Sequence, residues 1–239
     1  MTTLWLLATL AILFLAALVK ATLGFGESLL AIPLLTLVLG VQTATPLVSL
    51  LAITVTLFML LGNWRQIDLS ATWRLIVAAV VGVPLGVWGL KFLPATWVTT
   101  ALGVLLILVG LYNLTQPQFK PLHDNRWSYL FGFLAGLLGG AYNMASPPVL
   151  IYGAVRQWAP AQFRVTLQSF FLPVSLLILI GHASAGLWTS RVLMLYGLAW
   201  PVMLAAFWLG SRLNERVDAA LFGRLLYGAL VVLGIVLLI

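Results

Sequence analysis

Apolar residues along this chain fall into blocks of similar length separated by short polar segments. Residues 4–19, 45–61, 75–90, 97–114, 163–180, 192–209 and 221–239 each form one block. Each approaches the roughly 20 residues that a helix needs to cross a bilayer, so the pattern predicts a set of membrane-spanning helices. Two stretches break it: Gly24-Phe25-Gly26-Glu27-Ser28 leading to Pro33, and Gly139-Gly140-Ala141-Tyr142-Asn143-Met144-Ala145-Ser146 leading to Pro147-Pro148. Unsatisfied backbone is tolerated at membrane depth only where it is buried in protein or lines a wet cavity. Broken segments at matching places in two halves are the sequence mark of a secondary transporter, and they nominate its binding site.

Superposing Pro33 on Pro148 also sets Gly24 on Gly139 and Gln42 on Gln157. Slightly larger offsets match Gly62 with Gly181, and Gly89-Leu90-Lys91 with Gly210-Ser211-Arg212. The order is that of a duplication. Residues 1–114 read as a first transmembrane repeat, 115–126 as a connecting loop and 127–239 as a second repeat, each repeat a broken element followed by three spans. If the broken elements (4–40 and 127–155) cross fully, the loop charges divide evenly between the two faces. If they enter and return, Arg65, Arg74, Lys120, Arg126, Arg156, Arg164, Arg212 and Arg216 share one side, with Lys91 and Arg191 opposite. The positive-inside rule selects the lopsided arrangement. The expected fold class is an all-α polytopic membrane protein of two inverted repeats, each a broken re-entrant helical hairpin plus three transmembrane helices. The connecting loop is then cytoplasmic and both termini lie outside. The length of the first arm, residues 4–23, counts against a half-depth hairpin there.

Composition agrees with a bilayer setting: 63% of residues are hydrophobic and 7% charged, against about a quarter charged in soluble proteins. The expected location is within a membrane, as an integral protein. No segment between the blocks is large enough for a soluble domain, which argues against an enzyme or receptor. The net charge of +7 comes from basic residues scattered singly between apolar runs, a topology signal rather than a nucleic-acid surface. The absence of Cys removes disulfides and thiolate metal sites. The apolar N-terminus lacks a basic n-region and a convincing cleavage site, so it reads as retained. His182 and His123 fall in or beside predicted loops, far apart, and no metal site, cofactor or catalytic set is expected.

The breaks carry the candidate chemistry. A helix restarts after each: Ser28 or Glu27 is placed to cap the first, and Ser146 followed by Pro147 reads as an N-cap with proline at the first helical position. Two helix N-termini converging inside the bilayer offer unpaired N–H donors and partial positive charge to a small anion. The expected binding residues are Gly24, Phe25, Gly26, Glu27, Ser28, Gly139, Gly140, Tyr142, Asn143 and Ser146, with Arg164 and Gln168 at the start of the following span. Thr166 and Ser169 belong to the same span start, and Arg156 and Gln157 close the second arm. Gly82, Gly86, Gly103, Gly110, Gly132 and Gly136 are expected only to allow close helix packing. A carboxylate in a span is costly, so Glu27 is the candidate proton carrier; the structural alternatives are that it caps its own helix or pairs with Lys20.

Gly24-Phe25-Gly26 followed by Ser28 to Pro33, and Gly136-Leu137-Leu138-Gly139-Gly140 leading to Pro147-Pro148, resemble the two glycine-rich repeats of the TauE/SafE family of membrane transporters, often called sulfite exporters. The resemblance covers nearly the whole chain. It implies a secondary transporter, generally an exporter, of sulfite, organosulfonates or related small anions, working by alternating access. Where that family usually carries further glycines, this chain has Glu27 and Ser28, and Tyr142-Asn143-Met144-Ala145, which narrow the cavity and add a negative charge. The expected partners are a small anionic substrate, protons if Glu27 couples, and the lipid bilayer; a homo-oligomer stays open. The rival reading is a non-transporting membrane scaffold or assembly subunit in which the breaks are packing features.

Overall fold

A computed structural model describes residues 3–23, 26–60, 72–115, 124–158, 160–213 and 219–239. The expected features at Gly24, Phe25, Gly62, Arg65, Lys120, His123 and Arg216 lie outside the described residues, as do the side chains of Arg164 and Gln168. The described residues form ten helices and no strands: α1 Thr3–Leu23, α2 Glu27–Leu39, α3 Val41–Leu60, α4 Trp73–Phe92, α5 Ala95–Thr115, α6 Trp127–Tyr142, α7 Ser146–Val155, α8 Pro160–Ser184, α9 Ser190–Leu213 and α10 Ala219–Leu238. Apart from residue 61, outside the described residues, and the terminal Ile239, every predicted apolar block lies in one of these helices. An all-helical answer is forced, because helices satisfy their own backbone hydrogen bonds where lipid offers none. Five described helices are long and apolar enough to cross a membrane: α1, α3, α4, α5 and α9.

Breaks and corners follow local backbone rules. Gly26 (φ 93°) and Gly40 (φ 81°) bracket α2 in conformations that side chains rarely adopt. Asn143 takes the left-handed conformation (φ 54°) at the end of α6. Leu93 is extended before Pro94, as the proline ring requires, and the chain turns directly into α5.

Small residues set how the helices pair. At Gly136 an added Cβ would lie 2.6 Å from the Ala79 carbonyl oxygen, and at Gly86 it would lie 2.8 Å from the Ala141 amide nitrogen. Gly132 faces Leu75, Gly136 faces Ala79 and Gly140 faces Val83, so α4 and α6 run parallel, backbone against backbone. Lipid tails are as apolar as leucine, so such pairs are held by close van der Waals contact rather than by a hydrophobic drive. On α5 and α10 the register is reversed: Gly103 meets Gly234 while Gly110 meets Tyr227 and Val231, so these helices are antiparallel. Gly210, near the end of α9, packs on Leu18 and Ala21, near the end of α1.

The second broken element folds back on itself. The Phe131 ring on α6 lies 5.3 Å from that of Tyr152 on α7. Beyond α7, the Arg156 guanidinium donates to Asn125 Oδ1 at 2.9 Å, so the two ends of α6–α7 emerge together. The first element differs in reach. At 21 residues α1 is about 31 Å long, enough to cross a bilayer by itself, whereas its counterpart α6, with 16 residues, spans about 24 Å.

His182 stands beside the connection that follows α8, as expected, but on the helix and inside the protein. It sits in the last turn of α8, fully buried, with Nε2 2.8 Å from the Gly140 carbonyl oxygen and Nδ1 3.1 Å from Ser49 Oγ. Carbonyl oxygen only accepts, so Nε2 carries the proton of this bond, and the ring ties α8 to α6 and α3.

Candidate functional site

The two breaks meet. Asn143 Nδ2 donates to Ser28 Oγ at 3.0 Å, joining residues 115 positions apart. Around this bond lies a cavity of about 30 Å³ lined by Lys20, Gly26, Glu27, Ser28, Ala52, Asn143, Ala145, Ser146, Phe171, Ser175 and Ile178. One water needs roughly 10–15 Å³ of such space, so the cavity holds about two waters. Its walls come from both broken elements and from α3 and α8.

Charge enters as a pair. Lys20 Nζ and Glu27 Oε1 are 2.6 Å apart, with side chains 9% and 10% exposed. Lys20 is in the last turn of α1 and Glu27 in the first turn of α2, so each sits at the helix end whose dipole favours its sign. This is the pairing with Lys20 that the sequence offered as a structural role for Glu27. The pair contributes no net charge to the cavity.

The expected caps differ from those observed. Gly26, not Ser28 or Glu27, is the N-cap of α2, with no side-chain cap bond. Ala145 is the N-cap of α7, and Ser146 is its first helical residue. The left-handed turns at Gly26 and Asn143 fix these starts one residue from where side-chain chemistry alone would put them. Pro147 and Pro148 have no N–H, so α7 brings fewer backbone donors than α2, and the expected symmetry of two helix N-termini is unequal. On the second side, Asn143 and Ser146 supply polar groups instead. Because Ser28 Oγ accepts from Asn143, its own hydroxyl proton can still be donated into the cavity.

Of the twelve expected binding residues, Gly26, Glu27, Ser28, Asn143 and Ser146 line the cavity. Gly139 stands just behind it, against Ile178 and Ala145. Gly140 and Tyr142 are directed elsewhere. Gly140 packs on the α4 backbone at Val83 and Val87. The Tyr142 hydroxyl donates to the Val98 carbonyl on α5 at 2.9 Å. Thr166 and Ser169 are buried but are not among the lining residues. We expect Tyr142→Phe to cost about 1 kcal/mol of stability, the net worth of one such hydrogen bond, with anion affinity unchanged. Thermal melting with and without ligand checks both halves.

The sequence reading did not count Lys20, Ala52, Ala145, Phe171, Ser175 or Ile178 among the binding residues. Phe171, Ser175 and Ile178 stand at i, i+4 and i+7, one face of α8, and a serine on an otherwise apolar stripe was the available signal. Which face turned inward depended on tertiary packing. A larger groove of about 440 Å³ runs between α4 and α8, but its lining includes the outward-facing Trp88, Phe92 and Ile180, 55%, 62% and 63% exposed. It suits lipid rather than a polar solute. Among the described residues no group of three His, Asp or Glu could hold a metal.

Residues 9–237 match the protein family described as Sulfite exporter TauE/SafE. The chain is 28% identical over 203 residues to the probable sulfite/organosulfonate exporter TauE of Cupriavidus necator, an alignment covering 81% of this chain and 77% of that one. No solved structure matches.

Proposed function

This chain belongs to the TauE/SafE sulfite exporter family, a family of integral membrane transporters rather than enzymes, and from that premise we propose that it exports a small anion such as sulfite or an organosulfonate through the cavity at the two breaks. The observation that carries the reading is the Asn143–Ser28 bond, which draws two distant interruptions to the edge of one buried polar space. Glycine at position 26, hydroxyls at 28, 146 and 175 and the Asn143 amide are donors or close-approach positions suited to oxyanion oxygens. Transport by alternating access moves one repeat, 1–114, against the other, 127–239, with 115–126 between them.

Helix directions support an inverted pair of repeats. The closing helices α5 and α10 are antiparallel. Because α4 and α6 are parallel, Arg74 and Arg126 share one side, and the Arg156–Asn125 bond adds Arg156 to it. The reversed α10 starts on that side too, bringing Arg212 at the end of α9, with Lys91 and Arg191 at the opposite ends. That basic side is the cytoplasmic one by the positive-inside rule, in a bacterial inner membrane. Proton coupling through Glu27 is the finer part of the reading: an anion moving with a proton crosses with less net charge.

Reconstitution tests the reading. Proteoliposomes holding the wild-type protein should accumulate radiolabelled sulfite or an organosulfonate, faster under a pH gradient, and either anion at about 100 times its Kd should stabilise the protein by about 2.7 kcal/mol. Asn143→Ala is expected to slow transport about tenfold or more while the protein remains folded. A wild-type protein that neither binds nor moves any small anion overturns the reading.

A further inference from the structure

Lys20 and Glu27 form a buried ion pair on the wall of a cavity that has no room for a substrate in its present shape. A sulfur oxyanion is larger than the pair of waters the cavity holds, so something must leave before the anion enters. The group whose chemistry the anion duplicates is the Glu27 carboxylate, another oxyanion held against the Lys20 ammonium at 2.6 Å.

Resting on the anion-export reading above, we propose that Lys20 is the cationic contact for the transported anion and that Glu27 is its built-in stand-in, so that substrate binds by replacing Glu27 at Lys20. The remaining polar groups on the described wall, Ser28, Asn143, Ser146 and Ser175, are neutral, which leaves Lys20 as the single cation there. An unpaired ammonium buried in an empty carrier is costly, and an internal carboxylate removes that cost until substrate arrives. Glu27 is also well placed to move. It is the first residue of α2, directly after the left-handed Gly26, at the joint between two helices.

Charge balance links the exchange to protons. Lys20 and Glu27 together are neutral; a bound monoanion makes the site negative unless Glu27 leaves its partner as the neutral acid. One proton is then taken up with each anion, and lower pH favours binding. Among the described side chains of the surrounding helices, Tyr142 bonds Val98, Tyr196 bonds Thr54, His182 bonds Ser49 and Gly140, Arg212 lies over the Trp208 ring, and Arg224 on α10 is exposed.

The test uses the full-length protein in detergent and methanesulfonate, a probe whose own charge is constant between about pH 5.5 and about pH 8. Calorimetry should show wild-type affinity falling as pH rises. Glu27→Gln should bind about tenfold more tightly at neutral pH, with the pH slope gone, and should melt lower than wild type until the anion is added. Lys20→Met/Glu27→Gln, neutral like the native pair and so expected to fold, should lose tenfold or more in affinity, and Lys20→Arg should retain binding. A double variant that binds like wild type, or a Glu27→Gln protein that binds more weakly with its pH slope intact, overturns the exchange while leaving anion export standing. A wild-type protein that binds neither methanesulfonate nor sulfite removes the export reading, and this proposal with it.

Discussion

Gly86→Leu is expected to leave little folded protein. The missing side chain of Gly86 faces the Leu137 carbonyl and the Ala141 amide of α6, so a larger residue meets main chain that has no rotamer to yield. Overpacking in an adaptable core costs about 1–3 kcal/mol. Against backbone the cost exceeds that range, a large share of the roughly 5–15 kcal/mol that holds a typical domain together. Gly86 belongs to an array with Gly82, Gly132, Gly136 and Gly140 along the same seam, so Gly86→Leu/Gly136→Leu should separate α4 from α6 altogether. The control lies one turn on: a Cβ at Gly89 meets only the flexible Leu93 side chain at 3.6 Å, and Gly89→Ala should be neutral or gain about 0.5–1 kcal/mol of helix propensity. Monodisperse yield and melting temperature in detergent separate these outcomes. A folded, wild-type-like Gly86→Leu protein would mean that the α4–α6 seam is looser than described.

The second large effect is non-additivity at the buried pair. Lys20→Met alone strands the Glu27 carboxylate and Glu27→Gln alone strands the Lys20 ammonium, each at an expected cost of about 3–5 kcal/mol. Removing both charges strands neither, so Lys20→Met/Glu27→Gln should recover most of the loss. The melting temperatures of the four proteins in this cycle, taken without anion, give the coupling directly. If the double variant shows the sum of the two single losses, the 2.6 Å contact is not the main partner of either group.

Helix identity and the places where helices break were readable from residue order because both are local. Apolar blocks of spanning length have one backbone solution in lipid. Glycine, proline and asparagine at 26, 40, 94, 143 and 186 mark most of the described corners by their own torsional preferences, Gln157 being the exception. The packing glycines were readable as a class, since a residue without a side chain in a span has few other uses; their partners were not. Nothing in the order of residues says that Gly132, Gly136 and Gly140 lie along α4 while Gly103 and Gly234 meet head to tail.

The candidate site divides in the same way. Gly26, Glu27, Ser28, Asn143 and Ser146 were visible as polar or flexible residues inside apolar sequence, because desolvating such groups is costly enough to need a reason. Tyr142 and Gly140 carried the same signal and serve packing instead, because a polar atom is satisfied equally well by a neighbouring carbonyl or by a ligand. His182 was expected in or beside a loop; its place in the last turn of α8 fits that, while its burial against Gly140 came only from packing. By itself, then, the sequence determined a helical membrane protein with two matched interruptions and the residue types within them. Tertiary structure alone decided that Ser28 meets Asn143, that of the roles open to Glu27 the pairing with Lys20 is the one formed on the cavity wall, and that one face of α8 closes that wall. Torsional preference and hydropathy act within a few residues, whereas these contacts depend on how helices far apart in the chain settle against one another.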